Sequence, residues 1–166
     1  TPMSVMVGVG KAAQAGVLIR NGEALQTASK ITAMILDKTG TITLGAPKVT
    51  DVIVVGEYDE QTILYLAATL ESGSEHPLAM AIVESAQERG IETGKASNFS
   101  AIAGHGVQAE VDGKTLLFGN EKLMHQRGID LGSFVEKAQA LAADAKTPMY
   151  FAIDHHFAGI IAVADP

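Results

Sequence analysis

The stretch "ILDKTGTIT", residues 35–43, closes an apolar run on Asp37 and then alternates threonine with glycine and isoleucine. A carboxylate at the carboxyl end of a strand in an α/β sheet stands at the crevice where such sheets bind ligands, which places Asp37 as a nucleophile. For "DKTG" alone, a strand-end turn with Asp37 as a local cap is the other reading. Upstream lie a short helix near Ala12, a strand "GVLIR" (16–20), a helical stretch "EALQTASK" (23–30) and a strand "TAMILD" (32–37). That alternation is the signature of a parallel sheet, and it amounts to half of an α/β unit.

Beyond Gly45 and Pro47 the pattern changes to α+β, an antiparallel sheet with helices packed on it. "KVTDVIVV" (48–55) reads as a strand, and residues 59–71 carry Ile63, Leu66, Ala67 and Leu70 at helical spacing. Ser72 and Gly73 end that helix; Pro77 opens the next, which runs to about Arg89 with Gly90 as its stop. Three strands follow, "NFSAI", "GVQAEVD" and "KTLLFG", the last two joined by Asp112 and Gly113. Ser133 with Glu136 three positions on predicts a capping box for a helix through Ala145, and "PMYFAID" with "FAGIIAVA" predicts a final hairpin.

Composition limits the function. The chain has 166 residues, 47% of them hydrophobic, enough for a real core. Twelve basic against nineteen acidic residues give a net charge of −7, and no basic patch offsets it, so nucleic acid is not an expected partner. Zero cysteines exclude disulfides and thiolate metal sites. The longest late apolar run, "FAGIIAVA", is eight residues, short of the roughly 20 that a membrane helix requires. "GVGKAA" (8–13) fits a loose dinucleotide fingerprint, but Gly16 interrupts the helix that the fingerprint must open.

The full string D-K-T-G-T-[IL]-T, matched without a gap by Asp37, Lys38, Thr39, Gly40, Thr41, Ile42 and Thr43, resembles the phosphorylation motif of P-type ATPases. The resemblance implies that Asp37 attacks the γ-phosphate of ATP and becomes an aspartyl phosphate. Lys38 would offset phosphate charge and Thr39 would supply donors. Asp37 and Thr39 would contribute to an incomplete Mg²⁺ site. Related phosphatases follow D-x-D, whose second Asp hydrolyses the phosphoenzyme. Here that position is Thr39, so the intermediate should persist long enough to drive a pump.

"ESGSEHPLAMAI" (71–82) is similar to the His-Pro segment of the heavy-metal subgroup, which implies Glu71 and His76 as adenine-side residues. A helix-end glutamate and a capping histidine are the alternatives. "AIAGHGVQA" resembles the family's G-x-G strand pair at Gly104 and Gly106, where glycines let backbone approach the ligand. "LFGN" resembles its next signature at Gly119 and Asn120, although Asn120 could equally be the N-cap of "EKLMHQ". His105 matches no family requirement, and His125, His155 and His156 read as surface residues.

The resemblance covers the whole chain and implies a division into three parts. Residues 1–45 would be part of a haloacid-dehalogenase-like phosphorylation domain with a linker from a membrane helix, 46–158 a nucleotide-binding domain, and 159–166 a return segment. Neither a transmembrane Cys-Pro-Cys, a T-G-E actuator motif nor a G-D-G-x-N-D segment is found. The expectation is therefore a catalytically incomplete, cytoplasmic fragment of an integral membrane protein, one that binds ATP and is completed by its own actuator domain and transmembrane helices. "SEHPLA" and "VADP" look more like the copper-transporting branch, with zinc or cadmium next. A nucleotide-binding regulatory module with a silent Asp37 is the reading from another class.

Overall fold

The structure is a computed structural model that describes residues 2–37 and 41–166. It divides into two compact units, Thr1–Asp37 and Lys38–Pro166.

The first unit holds helix α1 (Pro2–Gln14) and helix α2 (Gly22–Ala28). Gly16, at φ +80°, ends α1: Val17 N–H donates to the Ala12 carbonyl at 2.8 Å and Gly16 N–H to the Ala13 carbonyl at 3.1 Å. "GVGKAA" lies inside α1, with no strand before it, so the phosphate-loop geometry is absent. Asn21 caps α2, its side chain accepting from Ala24 N–H at 2.8 Å. The expected strands "GVLIR" and "TAMILD" are not strands here. A strand needs a neighbour for its backbone N–H and C=O groups, and without one the apolar side chains stay in water: Leu18 is 87% and Ile35 99% exposed.

The second unit is α+β. Its strands are β1 (Lys48–Val54), β2 (Ser97–Ile102), β3 (Gly106–Val111), β4 (Lys114–Gly119), β5 (Thr147–Ile153) and β6 (His156–Ala164). They form one sheet in the order β1-β6-β5-β4-β3-β2, with every pairing antiparallel. Helices α3 (Glu60–Glu71) and α4 (Pro77–Glu88) pack on one face; α5 (Glu121–Gln126) and α6 (Phe134–Ala143) pack on the other.

Strand periodicity explains the two-sided core. Leu116 and Phe118 of β4, with Phe151 and Ile153 of β5, point toward α3 and α4. Leu117, Tyr150 and Ala152, one residue out of step, point toward Leu123 and Met124 of α5. Covering both faces is what makes these strands read as nearly continuous apolar runs. Each fully buried Leu, Ile or Phe contributes about 1.5–3 kcal/mol over an exposed one.

One correction belongs here. Ser133 has helical backbone angles and makes no side-chain cap bond, so the expected capping box is not formed; α6 ends at Ala143, with Ala145 at φ +58°. The expected final hairpin is formed by β5 and β6, and β6 also pairs with β1, so it lies between β1 and β5 in the sheet. Just past β6, the Asp165 carboxylate accepts from Thr43 Oγ1 (2.6 Å), Gly45 N–H (3.2 Å) and Ala46 N–H (3.1 Å), and Leu44 N–H donates to the Pro166 carbonyl at 2.8 Å. The two ends of the unit are pinned side by side.

Candidate functional site

All six residues expected to hold a nucleotide line one cavity of about 450 Å³: Glu71, His76, Gly104, Gly106, Gly119 and Asn120. Its apolar walls include Leu78, Ala79, Ile102, Val107, Phe118 and Met149. An apolar cleft with a few convergent polar groups is the usual form of a small-molecule site.

Glu71 is the last residue of α3, whose inner side buries Ile63, Leu66, Ala67 and Leu70. It is itself only 7% exposed, and its Oε2 has no hydrogen-bond partner. Burial pushes its carboxyl up to about 7, while a bond with Ser74 pulls weakly the other way. A buried carboxyl that titrates near neutrality and leaves one oxygen unpaired in a cleft is the kind of group that binding sites use.

Five residues on, His76 caps α4. Its Nδ1 accepts from Leu78 N–H at 3.2 Å, Ser74 Oγ accepts from His76 N–H at 3.3 Å, and Pro77 takes the first helical position. With Nδ1 accepting, the ring carries its proton on Nε2. The capping reading is therefore realised, on the wall of the same cavity.

Two of the glycines are required by the sheet itself. A Cβ on Gly106, at φ +151°, would lie 2.1 Å from the Phe118 carbonyl oxygen and 2.6 Å from Gly119 Cα. One on Gly119 would lie 2.2 Å from the His105 carbonyl oxygen and 2.9 Å from Gly106 Cα. The two residues are partners in the β3–β4 register, and each is glycine because the other backbone occupies the place of its side chain. Substitution of either would deform the sheet before it blocked a ligand. Gly104 differs: its left-handed φ of +70° disfavours other residues, but a Cβ there would meet nothing within 4 Å.

Asn120 is both cap and clamp. Its Oδ1 accepts from Leu123 N–H at 3.0 Å at the start of α5, and its Nδ2 donates to the Gly104 carbonyl at 3.0 Å. Its backbone N–H donates to the His105 carbonyl at 2.9 Å. His105, which the motif reading set aside, also lines the cavity, as do Thr147 and Pro148 at the start of β5. The sequence carries no local signal for the last two, because only the β4–β5 pairing brings them here.

Asp37 is exposed, lies in no helix or strand and belongs to the first unit. Lys38 and Thr39 lie outside the described residues. His125 is exposed, 3.3 Å from Glu121 one helical turn before it.

A family model for haloacid dehalogenase-like hydrolases matches residues 31–166. The chain belongs to that family. Within it, its relatives are heavy-metal P-type ATPases. It is 45% identical over 166 residues to a silver exporting P-type ATPase of Salmonella typhimurium, matching 100% of this chain and 20% of that protein. A copper-transporting P-type ATPase of Rhizobium leguminosarum bv. viciae is 47% identical over 165 residues, 99% of this chain and 20% of that protein. Among solved structures, a zinc-transporting PIB-type ATPase in its E2.Pi state superimposes with a TM-score of 0.79 at 32% identity, over 99% of this chain and 26% of that one. The chain thus spans about a fifth of the curated relatives it matches.

The likeness to P-type ATPases, together with the haloacid dehalogenase-like family match, implies a nucleotide and typically Mg²⁺. Among the described residues, no group of three or more His, Cys, Asp or Glu could hold a metal ion. Mg²⁺ takes a near-octahedral set of oxygens, commonly one or two carboxylates completed by waters and substrate phosphates; of the two residues expected to hold it, Asp37 brings one carboxylate and Thr39 lies outside the described residues. No helix among them is long and apolar enough to cross a membrane.

Proposed function

We propose that the cavity between α3, α4 and the β2–β5 strands binds the adenine end of ATP, in the cytoplasmic part of a membrane pump that exports a heavy-metal ion. The supporting observation is the convergence on one cleft of six residues scattered from Glu71 to Asn120. Ionised Glu71 would accept from the exocyclic amine of adenine, and His76 Nε2–H would face the base. The apolar walls would cover its faces, while Asn120 holds the Gly104 turn in place.

In this reading residues 46–158 are the nucleotide domain, residues 159–166 return toward the phosphorylation domain, and residues 1–45 bring Asp37, Lys38 and Thr39 for phosphoryl transfer. Asp37 Oδ attacks the γ-phosphorus, the bond to the bridging oxygen breaks, and ADP leaves with the electron pair. The actuator domain and transmembrane helices of the same protein are its partners. Copper(I) is the proposed cargo, consistent with "SEHPLA" and "VADP" and with a copper transporter among the relatives.

Titration of the 166-residue chain with ATP and GTP tests the cleft. Saturable ATP binding, weakened about three- to tenfold in Glu71→Gln or His76→Gln, is the expected result for loss of one hydrogen bond. Equal affinity for GTP, with steep salt dependence, would mean that phosphate charge rather than the base is read, and would overturn the assignment.

A further inference from the structure

His105 is held in place by more bonds than a turn residue needs. Its N–H donates to the Ile102 carbonyl at 2.9 Å and its carbonyl accepts from Asn120 N–H at 2.9 Å. Its ring Nδ1 sits 2.7 Å from the Ala103 carbonyl oxygen. A carbonyl can only accept, so Nδ1 carries the proton, and in the neutral ring Nε2 is left as an acceptor. That Nε2 is withdrawn from water and has no partner.

The other side-chain polar atom in this condition, among the described residues, is Glu71 Oε2. Both residues line the same cavity. Buried polar atoms are ordinarily paired, so two orphans on the wall of one cleft call for a ligand that supplies hydrogens. The Watson–Crick edge of adenine presents an amine with two of them. At the same position guanine and hypoxanthine present a carbonyl oxygen, which would set acceptor against acceptor.

We infer that His105 is a base-specificity residue, whose Nε2 accepts a hydrogen bond from the exocyclic amine of adenine and disfavours a carbonyl there. The inference rests on the adenine-nucleotide reading of the cleft and extends it to a residue outside the family's motif. The two ring nitrogens divide the work: Nδ1–H fixes the ring against its own turn, and Nε2 reads the base.

The experiment uses the 166-residue chain, with ATP and inosine triphosphate as probes that differ at the amine. His105→Asn keeps a donor where Nδ1 stands and removes Nε2; His105→Gln restores a polar atom at Nε2 reach. Wild type should prefer ATP. His105→Asn should lose about three- to tenfold in ATP affinity, keep its inosine triphosphate affinity and melt as wild type does, whereas His105→Gln should retain part of the preference. Preference retained in His105→Asn, or equal losses for both nucleotides, would overturn the assignment of His105 and leave the cleft standing. Absence of ATP binding in the wild type would instead bring down the reading of the cleft itself.

Discussion

"TAMILD" (32–37) and "MYFAID" (149–154) are close in composition, and each ends an apolar run on an aspartate. Their fates differ. In the second, Phe151, Ala152 and Ile153 are buried in β5, and the Asp154 carboxylate accepts from Thr115 N–H at 2.8 Å. In the first, Ile35 is 99% exposed and Asp37 lies in no regular element. The difference is the neighbour: β5 has β4 on one side and β6 on the other, whereas the earlier segment pairs with no described strand. A strand is a property of a pair of segments.

The largest expected effect contrasts a buried ring with an exposed aliphatic side chain. Phe118→Ala removes a ring packed edge-on against Phe151, with centroids 5.8 Å apart, and should cost about 3–5 kcal/mol in urea unfolding. Ile35→Ala should change stability by no more than about 0.5 kcal/mol. Comparable losses at both sites would erase the distinction between the regions.

Glu71 sharpens the contrast from within the packed unit, as a charge-bearing group in an apolar setting. Its native carboxyl titrates at about 7 against an ordinary 4.5, so between those values the folded chain holds more protons than the unfolded one. Stability from this group is therefore full below pH 4.5 and falls as pH rises through 7, by up to about 3 kcal/mol. Glu71→Gln should flatten that part of the profile and raise the melting temperature at pH 8, measured without nucleotide. A wild-type profile as flat as that of the mutant would show that the carboxyl is better solvated than its burial indicates.

Next comes Asp165 against Asp37. Asp165→Ala strips three acceptor contacts and should cost about 1–3 kcal/mol, while Asp37→Ala should leave thermal unfolding unchanged. The smallest effect compares two helix caps. His76→Ala should cost about 0.5–2 kcal/mol by freeing Leu78 N–H, and Asn21→Ala, on a seven-residue helix with no buried side chain, should not move the main transition. A shift of that transition by Asn21→Ala would couple the two regions.

What could be read from the sequence follows the range of the forces involved. The end of α3 and both ends of α4 were legible because Ser72, Gly73, Pro77 and Gly90 act within a few residues of themselves. The Asp112–Gly113 turn was legible for the same reason, both residues having positive φ. At Ser133 the same local logic failed, since the backbone there already turns as helix and leaves the hydroxyl no cap bond. The six cavity residues were found through motif resemblance, but what Gly106 and Gly119 do for each other was not legible. Their contact depends on the β3–β4 register. His105 was passed over because an orphaned ring nitrogen exists only once Ala103, Ile102 and Asn120 surround it.

The pinning of Thr43–Ala46 to Asp165 and Pro166 has a topological consequence. A host polypeptide that leaves at Leu44 resumes within a hydrogen bond's length, 2.8 Å, of where it departed, so the intervening sheet and helices form a closed loop hung from one point. Such a cassette can be inserted into or removed from a host without spreading the host's own ends. It should also survive circular permutation, with Pro166 linked to Thr43 and new termini opened at the exposed Asp112–Gly113 turn, because the neighbours of each strand are set by the sheet and not by the order in which the chain visits them.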